Sequence, residues 1–199
     1  MQTYGEDTFK ANIEYVRRLY ENVLDWYKSA DYKAQIIVAL NGAFVTFVTT
    51  SLFQQSSLFV KRLPWHTMGL LVSVVISLAI SLYHAVSCLR SRIYLTDELA
   101  EFLSKEGVNR TDYQTYKPSV CWFFQMVSAL DKSQFEKRMR NLETGFEVDA
   151  MTSAIYELSA NVSKKHLHVN FGFAFAALTF LLFVASWLSY LYYLQTMAS

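Results

Sequence analysis

The sequence predicts an all-α membrane protein: three transmembrane helices with a small helical cytosolic domain built from the N-terminal helix and the segment between spans two and three. Three observations carry this. Ala34–Val60, Leu63–Leu89 and His166–Ser199 contain no Asp, Glu, Lys or Arg. At about 1.5 Å of rise per residue, each is long enough to cross the roughly 30 Å hydrocarbon core of a bilayer, where a central charge costs on the order of 2.5–3.5 kcal/mol. The chain is 53% apolar yet only 18% charged, against roughly 25% charged in soluble domains, and the deficit sits entirely in those stretches. Only two prolines and six glycines punctuate 199 residues, which favours helices throughout.

The elements follow in order. Residues 1–33 form a cytosolic amphipathic segment: Phe9, Ile13, Val16, Tyr20, Val23, Leu24 and Tyr27 recur at three- and four-residue steps, giving a helix over 8–30. The acids Glu6, Glu14, Glu21, Asp25 and Asp31 oppose an anionic leaflet, so this helix is expected to pack on the cytosolic domain. Span one is 34–60 and span two 67–89, joined by a short periplasmic hairpin, 61–66, where Pro64 and Trp65 supply a turn and an interfacial aromatic.

Residues 90–165 form a cytosolic helical sensor segment. The run Ile93–Lys105 is expected to continue helically from span two and to end at Glu106-Gly107-Val108-Asn109. A loop through Lys117-Pro118 leads to an apolar helix or short segment over Val120–Ala129. Asp131-Lys132-Ser133-Gln134 reads as a cap opening a helix from Phe135, broken near Thr144-Gly145. A last helix, about Val148–Lys165, runs directly into span three at 169–194, leaving 195–199 as a periplasmic tail.

Lys and Arg are held on the cytoplasmic side of a membrane. Arg17, Arg18, Lys28, Lys33, Arg90, Arg92, Lys105, Lys164 and Lys165 flank the spans on one side, and only Lys61 and Arg62 on the other. The N-terminus is therefore expected in the cytoplasm and the C-terminus in the periplasm, with no cleaved export signal. A net charge of +1 argues against nucleic acid as the partner. Cys88 and Cys121 lack metal-ligand spacing and are too few for a disulfide framework.

In span two, Gly69, Ser73, Ser77, Ser81 and Ala85 recur every fourth residue, with a shorter version in Gly42, Thr46 and Thr50 beside Asn41. Small faces let helices approach closely in lipid. The stripe serves either packing between spans one and two or, when the protein assembles into a homo-oligomer, a subunit interface or the water of an opened pore. His84, His166 and His168 come with no HExxH motif, paired cysteines or carboxylate cluster, so no metal site is expected. No phosphate-binding glycine loop, nucleophile elbow or nucleophile–base pair is present, and neither a catalytic residue nor an enzymatic role is expected. The juxtamembrane cations mark topology and meet lipid phosphates. A subset, with Tyr20, Trp26, Tyr32, Tyr94 and Trp122 at hand, has the chemistry for a nucleotide phosphate and base.

Ala30-Asp31-Tyr32-Lys33-Ala34 followed by Leu40-Asn41-Gly42-Ala43, then Phe123-Phe124-Gln125-Met126 with Ser133-Gln134-Phe135, then Glu157-Leu158-Ser159 with Lys164-Lys165-His166-Leu167, resemble in order and spacing a bacterial family of three-span proteins. That family is PycTM, the transmembrane effectors of the Pycsar anti-phage system. The resemblance implies an inner-membrane protein that binds a cyclic pyrimidine mononucleotide, cCMP or cUMP, made by a partner cyclase, with no other cofactor. Binding then impairs membrane integrity and aborts infection. It also points to Asp31, Lys33, Glu157, Ser159 and Lys165 as ligand contacts, to which Arg90 and Arg92 are added from the juxtamembrane cations. The alternative for Asp31, Lys33, Glu157 and Lys165 is ion pairing that fastens the first helix to the last. The competing reading of the whole protein is a constitutive membrane scaffold or channel subunit that binds a cytosolic protein.

Overall fold

The computed structural model describes the backbone of residues 3–54, 64–90, 96–143 and 145–198, all of it helix or connecting turn with no strand among them. The order is α1 (Thr3–Gln54), α2 (Trp65–Leu89), α3 (Thr96–Lys105), a 3₁₀ turn (Tyr113–Thr115), α4 (Phe124–Ala129), α5 (Lys132–Arg140) and α6 (Phe146–Ala198). Helices α1, α2 and α6 are each long and apolar enough to cross a membrane. The chain divides into two compact units.

One unit comprises Met1–Tyr27 and Ser91–Val162. Its core is Leu103, Val108, Tyr116, Val120, Met126 and Leu130, with Leu99, Phe102, Phe123 and Phe135 packed on them. Helix α3 stops because Gly107 adopts φ +70°, a conformation open to glycine at little cost. The Gly107 N–H then donates to Ser104 O and the Val108 N–H to Leu103 O, both at 2.9 Å. This 5→2 and 6→1 pair closes the helix end while placing Val108 and Leu103 in one apolar cluster.

The turn after α3 is held by short-range side-chain bonds. Asn109 Oδ1 accepts from the Thr111 N–H at 3.1 Å, and Asp112 Oδ1 from the Gln114 N–H at 3.1 Å. The Tyr116 hydroxyl donates to Arg110 O at 2.5 Å, so this fully buried ring meets the polar turn with its polar end satisfied. Asp131 caps α5, accepting from the Gln134 N–H at 3.0 Å and the Ser133 hydroxyl at 2.6 Å. Arg17 of α1 reaches Glu147 in the first turn of α6 at 2.7 Å. The first part of α1 thus joins the 91–162 segment in this unit.

The other unit comprises Lys28–Arg90 and Ser163–Ser199. Here α2 runs antiparallel to α1 and α6. Ala30, Ala34, Ile37, Ala85, Cys88 and Val169 form its core, small side chains that permit close backbone approach. A Cβ at Gly172 would stand 3.0 Å from Ile37 Cδ1, so glycine is what admits that isoleucine. Phe44 meets Phe183 edge to face at 5.2 Å. Leu40, Phe47, Val72, Val75, Ile76, Phe180, Leu181 and Leu188 are exposed on the outside, as a lipid-facing surface requires.

Several boundaries differ from the sequence expectation. The amphipathic helix and span one are a single helix, α1. Helix α2 begins inside the expected 61–66 hairpin, two residues before the expected span two. Pro64, at φ −65° and ψ 148°, is the N-cap of α2 and Trp65 its first residue, because a missing N–H is harmless at a helix start. Helix α2 does not run on through Arg90, which is extended at ψ 117°, and α3 is described only from Thr96. The Val120–Ala129 helix is shorter, since Val120 and Cys121 close turns onto Lys117 O and Pro118 O and α4 begins at Phe124. Helix α5 starts at Lys132 rather than Phe135, directly after its Asp131 cap, and ends at Arg140. Gly145, at φ +101°, precedes α6, which runs unbroken into span three as expected. Residues 55–63, the end of the expected span one and half of the expected hairpin, lie outside the described residues, as do Arg92, Ile93 and Tyr94.

Candidate functional site

The interior of the membrane unit is a polar seam. Asn41 of α1 is buried and donates its Nδ2–H to Ser81 Oγ of α2 at 2.8 Å. Ser81 in turn donates to the backbone carbonyl of Gly172 in α6 at 2.9 Å, so one hydroxyl joins all three spans. One helical turn away, Ser77 donates to Phe175 O at 3.0 Å. Near the Trp65 end, the Thr67 and Ser189 hydroxyls meet at 2.9 Å. Every one of these groups would lack a partner in hydrocarbon, which is why they face one another.

At the other end of the seam, Lys165 of α6 pairs with Asp31 of α1. Their side chains are 11% and 29% exposed, so the pair is shielded from solvent more than a surface salt bridge. The adjacent Cys88 thiol faces Ala30 O at 3.7 Å. His84 and His168 meet Nδ1 to Nδ1 at 3.0 Å, an arrangement in which one ring donates and the other accepts. His84 also stacks on Phe171 at 5.3 Å. The Asp31–Lys165 ion pair and the His84–His168 imidazole pair both tie α6 to another span at this end of the bundle.

The described residues include no group of three or more His, Cys, Asp or Glu able to hold a metal ion. Two imidazoles fall short of the four ligands a tetrahedral site needs. The three apolar spans, their polar seam and the ion pair at its end together describe a multi-pass membrane protein with a tightly satisfied interior.

Residues 15–192 match the family described as PycTM, the Pycsar effector protein domain. The chain belongs to this family. PycTM proteins are effectors of Pycsar anti-phage defence, and membership implies a cyclic nucleotide signal from a partner cyclase. No curated protein and no solved structure matches the chain significantly.

The residues nominated as ligand contacts fall in different places. Asp31 and Lys165 contact each other, while Lys33 and Arg90 of the same unit are exposed. Glu157 is exposed and Ser159 half-buried on α6 in the other unit, and Arg92 lies outside the described residues. The small-residue stripe divides: Ser77, Ser81 and Ala85 are buried against the chain's own helices, whereas Gly69 is exposed and Ser73 half-exposed, donating to Gly69 O at 3.0 Å. Gly42 is exposed too, and Thr46 donates to its carbonyl at 3.0 Å.

Sequence reasoning weighed the histidines only as metal ligands and missed the pairing of His84 with His168. Two histidines at facing ends of antiparallel spans are a signal that could have been read. It also missed Arg138, whose guanidinium lies 4.9 Å from the Phe146 ring centre. Nothing in a basic helix end such as Lys137-Arg138-Met139-Arg140 marks which cation turns inward.

Proposed function

We propose that this protein is a non-enzymatic, nucleotide-gated membrane effector. It binds cCMP or cUMP from its partner cyclase, then makes the bacterial inner membrane leak and so aborts infection. Its N-terminus lies in the cytoplasm and its C-terminus in the periplasm, in keeping with the cations that flank the spans. The observation that carries the reading is the polar seam of Asn41, Ser77 and Ser81 inside the spans of a PycTM chain.

In the resting bundle each of these polar groups has an intramolecular partner. Once the helices part, the same groups become the lining of a wet path, because amides and hydroxyls hydrate where leucines do not. The Asp31–Lys165 pair is the clasp at the seam's end. A ligand opens the bundle only by binding the open state more tightly than the closed one. The open faces at Gly42 and Gly69 give copies of the chain a close-approach surface for assembling into a homo-oligomer.

The test is dye release from liposomes carrying the purified protein, with cCMP, cUMP, cAMP and cGMP added separately. Release with one pyrimidine nucleotide alone is expected. Silence with all four would overturn the reading and favour the constitutive scaffold.

A further inference from the structure

A buried donor without an acceptor costs about 1–3 kcal/mol, and more when it carries charge, so folded chains match nearly all of them. Arg138, in the last turn of α5, departs from that rule. Its side chain is 11% exposed, and its Nε is buried with no hydrogen-bond partner, the only such side-chain atom among the described residues. One face of the guanidinium is covered by the Phe146 ring, 4.9 Å away at its centre. Its carboxylate neighbour, Glu143, reaches only Nη1, at 3.4 Å, from a side chain that is 80% exposed. Such a pair is long and screened by water.

Nη1 lies on the Cδ side of the guanidinium, so the Glu143 contact leaves the opposite edge, Nε with Nη2, as the one holding the unmatched donor. That edge presents two parallel N–H bonds, the spacing that two non-bridging oxygens of a phosphate accept. Lys137 and Arg140 on the same helical turn raise the local positive potential. A cyclic mononucleotide offers one phosphodiester monoanion with two such oxygens.

We infer that the Nε–Nη2 edge of Arg138 takes the phosphodiester of the cyclic pyrimidine nucleotide, with Phe146 fixing the guanidinium plane. This rests on the nucleotide-gated reading above and adds where the ligand's charge is met. Glu143 then acts as a weak internal competitor for the same guanidinium.

The test is calorimetric titration of cCMP and cUMP, and of cAMP as a control, into the full chain in nanodiscs. R138Q and R138K are compared with the wild type, and E143Q with both. R138Q is expected to raise the Kd at least tenfold. R138K, which keeps the charge and removes the fork, is expected to raise it less, and E143Q to lower it. An unchanged Kd in R138Q overturns the inference while leaving ligand gating intact, and a lower melting temperature at unchanged Kd does the same by reducing Arg138 to a packing role. Should R138Q fail to fold, an unchanged Kd in R138K overturns it. A wild type that binds none of the nucleotides removes this inference together with the nucleotide-gated reading.

Discussion

The two units of this chain solve the same problem with opposite surfaces. In the unit built on α3, α4 and α5, the buried residues are apolar, Leu103, Val120, Met126 and Leu130 among them, and Arg138 is the exception to polar groups that otherwise stay at turns and caps. In the membrane unit, Asn41, Thr67, Ser77, Ser81, Thr179 and Ser186 are buried and valines, leucines and phenylalanines point outward. The solvent explains the inversion. Water drives apolar surface inward, whereas lipid offers apolar groups nothing to gain by burial and leaves close contact and polar pairing to hold helices together. Stability in the first unit should therefore reside in volume, and in the second in fit and hydrogen bonds.

The sharpest way to break that contrast is Y116A. Tyr116 is among the largest fully buried side chains, and its loss should cost about 3–5 kcal/mol, as other buried aromatic truncations do, measured by denaturant unfolding of the full chain. Far smaller is the expected coupling between Asn41 and Ser81. A double-mutant cycle of N41A and S81A should yield on the order of 0.6 kcal/mol, because unfolded helices in lipid find other polar partners. A coupling as large as the Tyr116 effect would erase the proposed difference between the units.

Smallest is the contribution of the Asp131 cap, whose carboxyl is held below its ordinary value by the Ser133 hydroxyl first and the Gln134 N–H next. With the folded pKa depressed, the stabilisation is present above the unfolded carboxylate value near 3.9 and fades as pH falls through the lower folded one. D131N keeps an acceptor at the cap, so it should leave the melting temperature near neutral pH almost unchanged and remove that acid-side step.

How much of this was legible follows from the same physics. The spans were, because hydrocarbon tolerates so little charge that its absence alone marks them. The Asp131 cap and the glycine end of α3 were legible too, since each rests on local chemistry. Which hydroxyls face inward was not. A four-residue step advances about 400° around a helix with 3.6 residues per turn, drifting about 40° each time. A stripe from Gly69 to Ala85 therefore rotates from the outside of the bundle to its centre, and the observed inner face follows Thr67, Val74, Ser77, Ser81, Ala85 and Cys88 instead. The Asp31–Lys165 contact joins residues that are far apart in sequence, and only the resemblance set them side by side.

Gly172 and Ile37 share one volume. With Ile37 Cδ1 only 3.0 Å from where a Cβ at 172 would sit, alanine there makes the isoleucine give by a few tenths of an ångström. A lineage that acquires alanine at 172 relieves that contact by trimming the isoleucine at 37 to valine, and one that keeps the glycine holds the isoleucine without the squeeze. Across descendants of this chain the two sites should drift as a pair, tied by a space one methyl group wide.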